Sequence, residues 1–223
     1  MSKAKIGIIG TGNMGRAFGL AWARAGYPVS FGSRNASKAE ATARQVSGAK
    51  YGSFASAAAF GDVIFYTVRE PLPSALLGPG ALDGKIVIDC NNSAIWGFDL
   101  PDPKGRPGLH FPPTSPSLAE GLAADVPRAR VAKAFNTLPS VLLDLPETTL
   151  RAAKISVFVC SDEAEARRQT AELAAAIGFV PIDSGGLEHA GAIESVADVI
   201  RYQILANKQP MRSAISYQPV EAP

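Results

Sequence analysis

The segment 5–15, Lys-Ile-Gly-Ile-Ile-Gly-Thr-Gly-Asn-Met-Gly, constrains the fold of this chain more than any other. Ile6, Ile8 and Ile9 are β-branched residues suited to a strand buried on both faces. The run ends abruptly in Gly10, Gly12 and Gly15, spaced as G-x-G-x-x-G. That spacing turns a strand sharply into a helix. The first glycine makes the tight turn, the second lets the backbone approach a pyrophosphate, and the third lets helix and strand pack closely. Unpaired N–H groups of the first helical turn then face the anion. Glycine-rich turns also occur where nothing binds, so the context decides. Met14, Phe18, Ala21, Trp22 and Ala25 recur at helical spacing, Gly26 stands where a helix ends, and Val29-Ser-Phe resumes as a strand. This is a βαβ unit of about thirty residues, the length a dinucleotide site requires. Gly10, Thr11, Gly12, Asn13, Met14 and Gly15 are therefore candidate cofactor-binding residues.

The end of the second strand selects the nucleotide. A fold that prefers NAD places Asp or Glu about 20 residues beyond the glycines, on the ribose hydroxyl. Here Gly32 and Ser33 stand in that place, Arg34 follows at once, and Lys38 comes one helical turn later. A guanidinium and an ammonium suit a 2′-phosphate, so NADP is the expected cofactor, with Ser33, Arg34 and Lys38 in its site. The alternative is an Arg and a Lys on a solvated helix start.

Further strands are expected over 62–68, 85–89 and 130–135, with a short helix over 54–60 between. In a doubly wound sheet, ligands bind beyond the carboxyl ends of the strands where strand order reverses, here between the first and fourth. Val68 and Arg69 then lie beside the cofactor. Arg69 and Glu70 could meet ribose, phosphate or substrate, or form a surface ion pair with each other. Pro71 fits a helix start. Asn91 and Asn92 are placed for the nicotinamide-side ribose or carboxamide, the alternative being an Asx turn that caps the loop. Asn136 and Thr137 follow the sixth strand and face the same end of the pocket, if that strand neighbours the fifth. Between 97 and 127 stand seven prolines, a connection long enough to suggest a lid or an exchange surface. Ser117 and Glu120 are spaced as a capping box.

The expected fold is therefore α/β, a Rossmann-like doubly wound and mostly parallel sheet with a small C-terminal α/β extension. The divisions are 1–145 for the NADP-binding domain, 146–206 for the extension of the same core, and 207–223 for a partly disordered tail. The chain has 223 residues, and 22 Lys plus Arg against 20 Asp plus Glu leave a net charge of +2, too little for a broad field that grips nucleic acid or an anionic membrane. Cys90 and Cys160 are far apart and each follows an apolar run, which argues against a disulfide framework or a metal site. No run approaches eighteen apolar residues, and the first strand begins within a few residues of Met1. A cytoplasmic location is the expectation.

The motifs Gly10-Thr-Gly-Asn-Met-Gly15, Gly32-Ser-Arg34 and Lys133-Ala-Phe-Asn136 together resemble the NADPH-dependent reductases of the 8-hydroxy-5-deazaflavin coenzyme F420. The resemblance spans most of the chain. It implies NADP along the glycine loop with Ser33 and Arg34 at the 2′-phosphate, and a second planar redox ring, a deazaflavin, stacked on the nicotinamide. The related reductase domain of membrane ferric reductases uses a flavin there. The activity implied is hydride transfer between NADP(H) and a flavin-like or deazaflavin acceptor. Hydride can pass directly between stacked rings, and the chain offers no evident catalytic acid: His110 and His189 are the only histidines. Catalytic residues are therefore left unassigned. Two other readings stay open: reduction of a small imine or carbonyl, since the glycine motif also resembles pyrroline-carboxylate reductases, and a non-catalytic NADP-sensing module. A homodimer through the last helix or the proline-rich loop is expected, because so small a sheet leaves the second ring poorly covered.

Overall fold

The computed structural model describes residues 3–112 and 116–220. Six strands, β1 (Ile6–Ile9), β2 (Val29–Gly32), β3 (Lys50–Gly52), β4 (Val63–Tyr66), β5 (Ile86–Asp89) and β6 (Arg130–Lys133), form one parallel sheet. Their order is β3-β2-β1-β4-β5-β6, so the reversal lies between β1 and β4 as expected, and β6 does follow β5. Every residue of β1, β2, β4 and β5 is buried. Helices cover both faces, which is why these strands read as continuous apolar runs rather than as an alternation.

Helix α1 (Asn13–Arg24) follows β1, α2 (Ala36–Ala43) follows β2, and α3 (Phe54–Phe60) lies between β3 and β4. Next come α4 (Pro73–Leu77) and α5 (Leu118–Asp125). Helix α4 starts two residues later than Pro71 suggested. Pro71 is joined to Glu70 by a cis bond, and Pro73 takes the first helical position, where a missing N–H costs nothing. The capping box at Ser117 is formed in both directions, Glu120 N donating to Ser117 Oγ at 3.1 Å and Ser117 N to Glu120 Oε2 at 2.8 Å. Ser117 N and the Ser117 hydroxyl, both donating to Glu120 Oε2, hold that carboxyl below its ordinary pKa.

After a 3-10 turn come α6 (Glu147–Ala153), β7 (Ser156–Val159), α7 (Ala164–Ala176), β8 (Val180–Asp183) and α8 (Ala190–Leu205). β7 and β8 make a separate parallel pair. They meet the large sheet where Lys133 N and Cys160 O bond at 2.9 Å and Cys160 N and Lys133 O at 3.2 Å, an antiparallel contact that ends the run of parallel strands. The segment after α8 returns along β7: Ser156 N donates to Ile215 O, and Tyr217 N to Ser156 Oγ.

An aromatic cluster joins this extension to the first βαβ unit. Phe18 and Trp22 of α1 lie against Phe65 and Phe135, with ring centroids 5.0–5.6 Å apart in the four α1 contacts, and Phe179 packs on Phe18 at 6.5 Å. The Trp22 indole donates to Leu173 O of α7 at 2.9 Å, so its polar edge is satisfied within the core. Phe18 is fully buried among these rings. Phe18→Ala should lower the unfolding free energy by about 3–5 kcal/mol, as buried Phe truncations do, seen as a lower urea midpoint at unchanged m-value.

Candidate dinucleotide site

The site begins where β1 ends. Gly10 takes a left-handed φ of 109°, its N–H donates to Gly32 O at 3.0 Å, and the Thr67 hydroxyl donates to Ile9 O at 3.0 Å. The chain then enters α1 so tightly that a Cβ added to Gly15 would stand 1.8 Å from Gly10 O. Gly12 is the N-cap and contributes no side-chain cap, and the first turn of α1 carries no acidic residue. Its N–H groups are left for an anion.

At the end of β2, Ser33 Oγ accepts from Asn35 N at 3.1 Å, and Asn35 Oδ1 accepts from Lys38 N at 3.1 Å, capping α2. Arg34 and Lys38 stand exposed at this end, with side chains in no ion pair among the described residues. A cavity of about 740 Å³ joins these parts. Gly10, Thr11, Gly12, Ser33, Arg34, Lys38, Val68 and Arg69 line it, as the sequence places them. Asn35, Phe54, Thr67, Ala94, Asp99 and Leu100 also line it and were not foreseen. Asp99 and Leu100 come from the proline-rich loop, which folds back on itself through paired bonds between Trp96 and His110. Pro113 of that loop lies outside the described residues.

Past Thr67 and Arg69 the cleft continues into a space of about 370 Å³ lined by Met14, Asn91, Asn92, Asn136, Leu138 and Arg201 among others. Beyond Asn136 and Arg201 it opens into a more apolar hollow of about 240 Å³ against Leu138, Pro139, Ile200, Ile204 and Met211. Of the residues assigned from sequence, Asn13 and Gly15 line none of these spaces: Asn13 opens α1, and Gly15 is buried against the turn. Arg69 and Glu70 form no ion pair with each other. Neither histidine lines the cleft.

The Asx turn at the β5 end exists, but Asp89 makes it. Asp89 Oδ1 accepts from Asn91 N at 3.1 Å and from Asn91 Nδ2 at 2.7 Å. That leaves Asn92 to pair with Asn136. Asn92 Nδ2 donates to Asn136 O at 2.8 Å, while Asn136 Nδ2 donates to Asn92 Oδ1 at 3.0 Å and Ile193 O at 3.2 Å. Asn136 Oδ1 is buried and has no hydrogen-bond partner among the described residues.

Beneath the amides lies Lys133, fully buried. Its ammonium donates to Asp89 Oδ2 at 2.7 Å, Glu194 Oε1 at 2.6 Å and Asn91 O at 2.5 Å. Burial disfavours the ammonium, but the two carboxylates outweigh it and hold the pKa above that of ordinary lysine. Burial likewise pushes Glu194 up, against the pull of Lys133. Cys90, also on the cleft wall, is pushed far up by burial and then by Asp89, so it stays a neutral thiol and no nucleophile. Sequence reasoning assigned Lys133 no function of its own, although a cation inside the apolar run Val131-Ala-Lys-Ala-Phe had to be paired somewhere. Arg201, far along the chain on α8, gave no such signal.

Fold and site together define a dinucleotide-binding oxidoreductase. Residues 5–93 match the family described as "NADP oxidoreductase coenzyme F420-dependent". The F420-dependent NADP reductase of Methanothermobacter marburgensis is 32% identical over 219 residues, covering 88% of this chain and 90% of that one. The chain belongs to this family of NADP-dependent oxidoreductases. The rat metalloreductase STEAP3 is 30% identical over 193 residues, 86% of this chain, and the chain spans only 36% of that relative's length. Among solved structures, a candidate F420-dependent NADP reductase from Arthrobacter sp. FB24 superposes with a TM-score of 0.77 at 24% identity, covering 97% of this chain and 100% of that one. An imine reductase from Pseudomonas sp. shares the fold at a TM-score of 0.62 and 13% identity, over 92% of this chain and 64% of that one. Among the described residues no helix is long and apolar enough to cross a membrane.

The residues present fit NADP. The glycine turn leaves room for a pyrophosphate, and two cations without carboxylate partners stand where a 2′-phosphate would be held. Arg34→Ala should weaken NADPH binding by about ten- to a hundredfold and leave NADH nearly unchanged, because a guanidinium–phosphate pair is a charge-assisted, forked contact. Fluorescence titration of both nucleotides decides it. Equal weakening would assign Arg34 to the fold or the adenine instead.

Proposed function

We propose that the protein transfers hydride between NADP(H) and a planar flavin-like or deazaflavin acceptor held beside the nicotinamide. The observation that carries this is the continuous cleft, polar at Asn91, Asn92 and Asn136 and more apolar beyond them at Leu138, Ile200 and Ile204. A nicotinamide supplies or receives the hydride when bound. The chain does the rest: Ser33, Arg34 and Lys38 hold the phosphate, the first-turn N–H groups of α1 take the pyrophosphate, and Asn91, Asn92 and Asn136 line the space that takes the carboxamide end. The apolar hollow keeps water from the face of a second ring. Direct transfer between rings needs no proton donor at the reacting carbon. That suits a cleft with no histidine on its wall and a Tyr66 hydroxyl already committed to Pro71 O at 2.7 Å.

Two features support a dimer as part of this reading. Val199 and Tyr202 of α8 are large apolar side chains left exposed, and α8 also walls the acceptor hollow, so a second copy on this helix would cover the ring. Light scattering at micromolar protein should give twice the 23.3 kDa chain mass, and a fully active monomer would end the idea.

Hydride transfer is tested by anaerobic oxidation of NADPH deuterated at C4 against FMN, FAD, F420 and a cyclic imine. Deuterium should appear at the ring carbon of reduced F420, which does not exchange with water; a flavin, whose reduced N–H does exchange, should instead show a primary isotope effect on NADPH oxidation. Turnover of the imine alone would replace this reading with imine reduction, and tight NADPH binding without any turnover would leave a sensing module.

A further inference from the structure

The geometry points to Lys133 as a positioning residue for hydride transfer, one that sets the amide array of Asn91, Asn92 and Asn136 at the reactive end of the dinucleotide. This rests on the NADP site proposed above. Three elements converge on one ammonium. Lys133 ends β6, Asp89 ends β5, and Glu194 lies on α8. Lys133 grips Asn91 twice, directly at its carbonyl and through Asp89, whose other oxygen takes both the Asn91 N–H and its side-chain amide. Through Glu194 it fixes the register of α8, and the neighbouring Ile193 carbonyl is the acceptor that turns Asn136. Glu194 also accepts from Leu118 N at the start of α5, so α8 cannot slide without breaking that bond as well.

Stability alone does not account for such a cluster. Well-packed apolar side chains of the same volume often hold elements together as well as a buried ion group does. An apolar residue could join β5 to β6, but it could not hold the Asn91 carbonyl and orient two carboxylates on opposite sides. The cluster's outputs converge on the cleft wall, which Asn91 and Asn136 both line.

The experiment compares wild type, Lys133→Met, and the uncharged triple variant Lys133→Met/Asp89→Asn/Glu194→Gln, which leaves no buried charge unpaired. Binding is measured for NADPH and for adenosine 2′,5′-bisphosphate, which keeps the Arg34 end of the ligand and lacks the nicotinamide. Transfer is followed from NADPH deuterated separately on each face of C4. The expected result is unchanged bisphosphate binding, which also reports an intact fold, with NADPH weakened towards it. Loss of face selectivity and a fall in kcat/KM of about a hundredfold should accompany this, the scale of a misplacement near 1 Å. Variants with wild-type face selectivity and NADPH affinity would overturn the inference, as would equal loss of both ligands or loss of folding in the triple variant, which would make Lys133 a support of the whole fold. A wild type that binds neither ligand would bring down the NADP reading itself.

Discussion

The contact on which the rest depends is the one between the Gly10 carbonyl and the backbone of Gly15. No side chain larger than hydrogen fits there, since a Cβ would lie 1.8 Å from that oxygen. This contact fixes where α1 begins, and so aims its unpaired N–H groups at the reversal between β1 and β4. It also fixes where α1 carries Phe18 and Trp22. Those rings meet Phe65 and Phe135, and the Trp22 indole reaches Leu173 of α7. One close approach thus registers the phosphate end of the cleft against the C-terminal extension, which supplies the other end through α8.

Charge is divided along the cleft according to burial. At the end beside the glycine turn, Arg34 and Lys38 are exposed and in no ion pair among the described residues, a state that costs little in water and leaves both available to an anion. Beneath Asn91 and Asn136, Lys133 is sealed from solvent and shared between two carboxylates and a carbonyl. Unpaired, such a charge would be strongly destabilising there. The exposed cations are open to solvent, whereas the buried one is tied into the wall. Arg201 stands between the two cases: it bonds Ser93 O and Asp198 on its protein side while lining both deeper cavities.

The sequence made the first half of the candidate site legible because its residues are local. Gly10, Gly12 and Gly15 lie within one turn, and Arg34 and Lys38 follow the next strand, so spacing alone places them together. Strand ends also carried information: Val68, Asn91 and Asn136 all reached the cleft because the parallel order put their strands side by side. What stayed hidden depends on long-range pairing. Asp89 and Glu194 are 105 residues apart in numbering and meet only through Lys133. An Asx turn was the alternative reading for Asn91 and Asn92, yet Asp89 makes it, with its other oxygen held by the ammonium. Pro71 and Pro73 both fit a helix start by type, and only backbone geometry separates them.

The account stands or falls on where the two ends of NADP lie. A crystal structure with NADP+ bound tests it most directly. It should show the 2′-phosphate within hydrogen-bond reach, about 3 Å, of Ser33 and Arg34, and the carboxamide in the space lined by Asn91 and Asn136. The exposed nicotinamide face should open onto the hollow formed by Leu138, Ile200 and Ile204. A nucleotide bound along the glycine turn whose nicotinamide leaves the cleft before Asn91 would contradict the account.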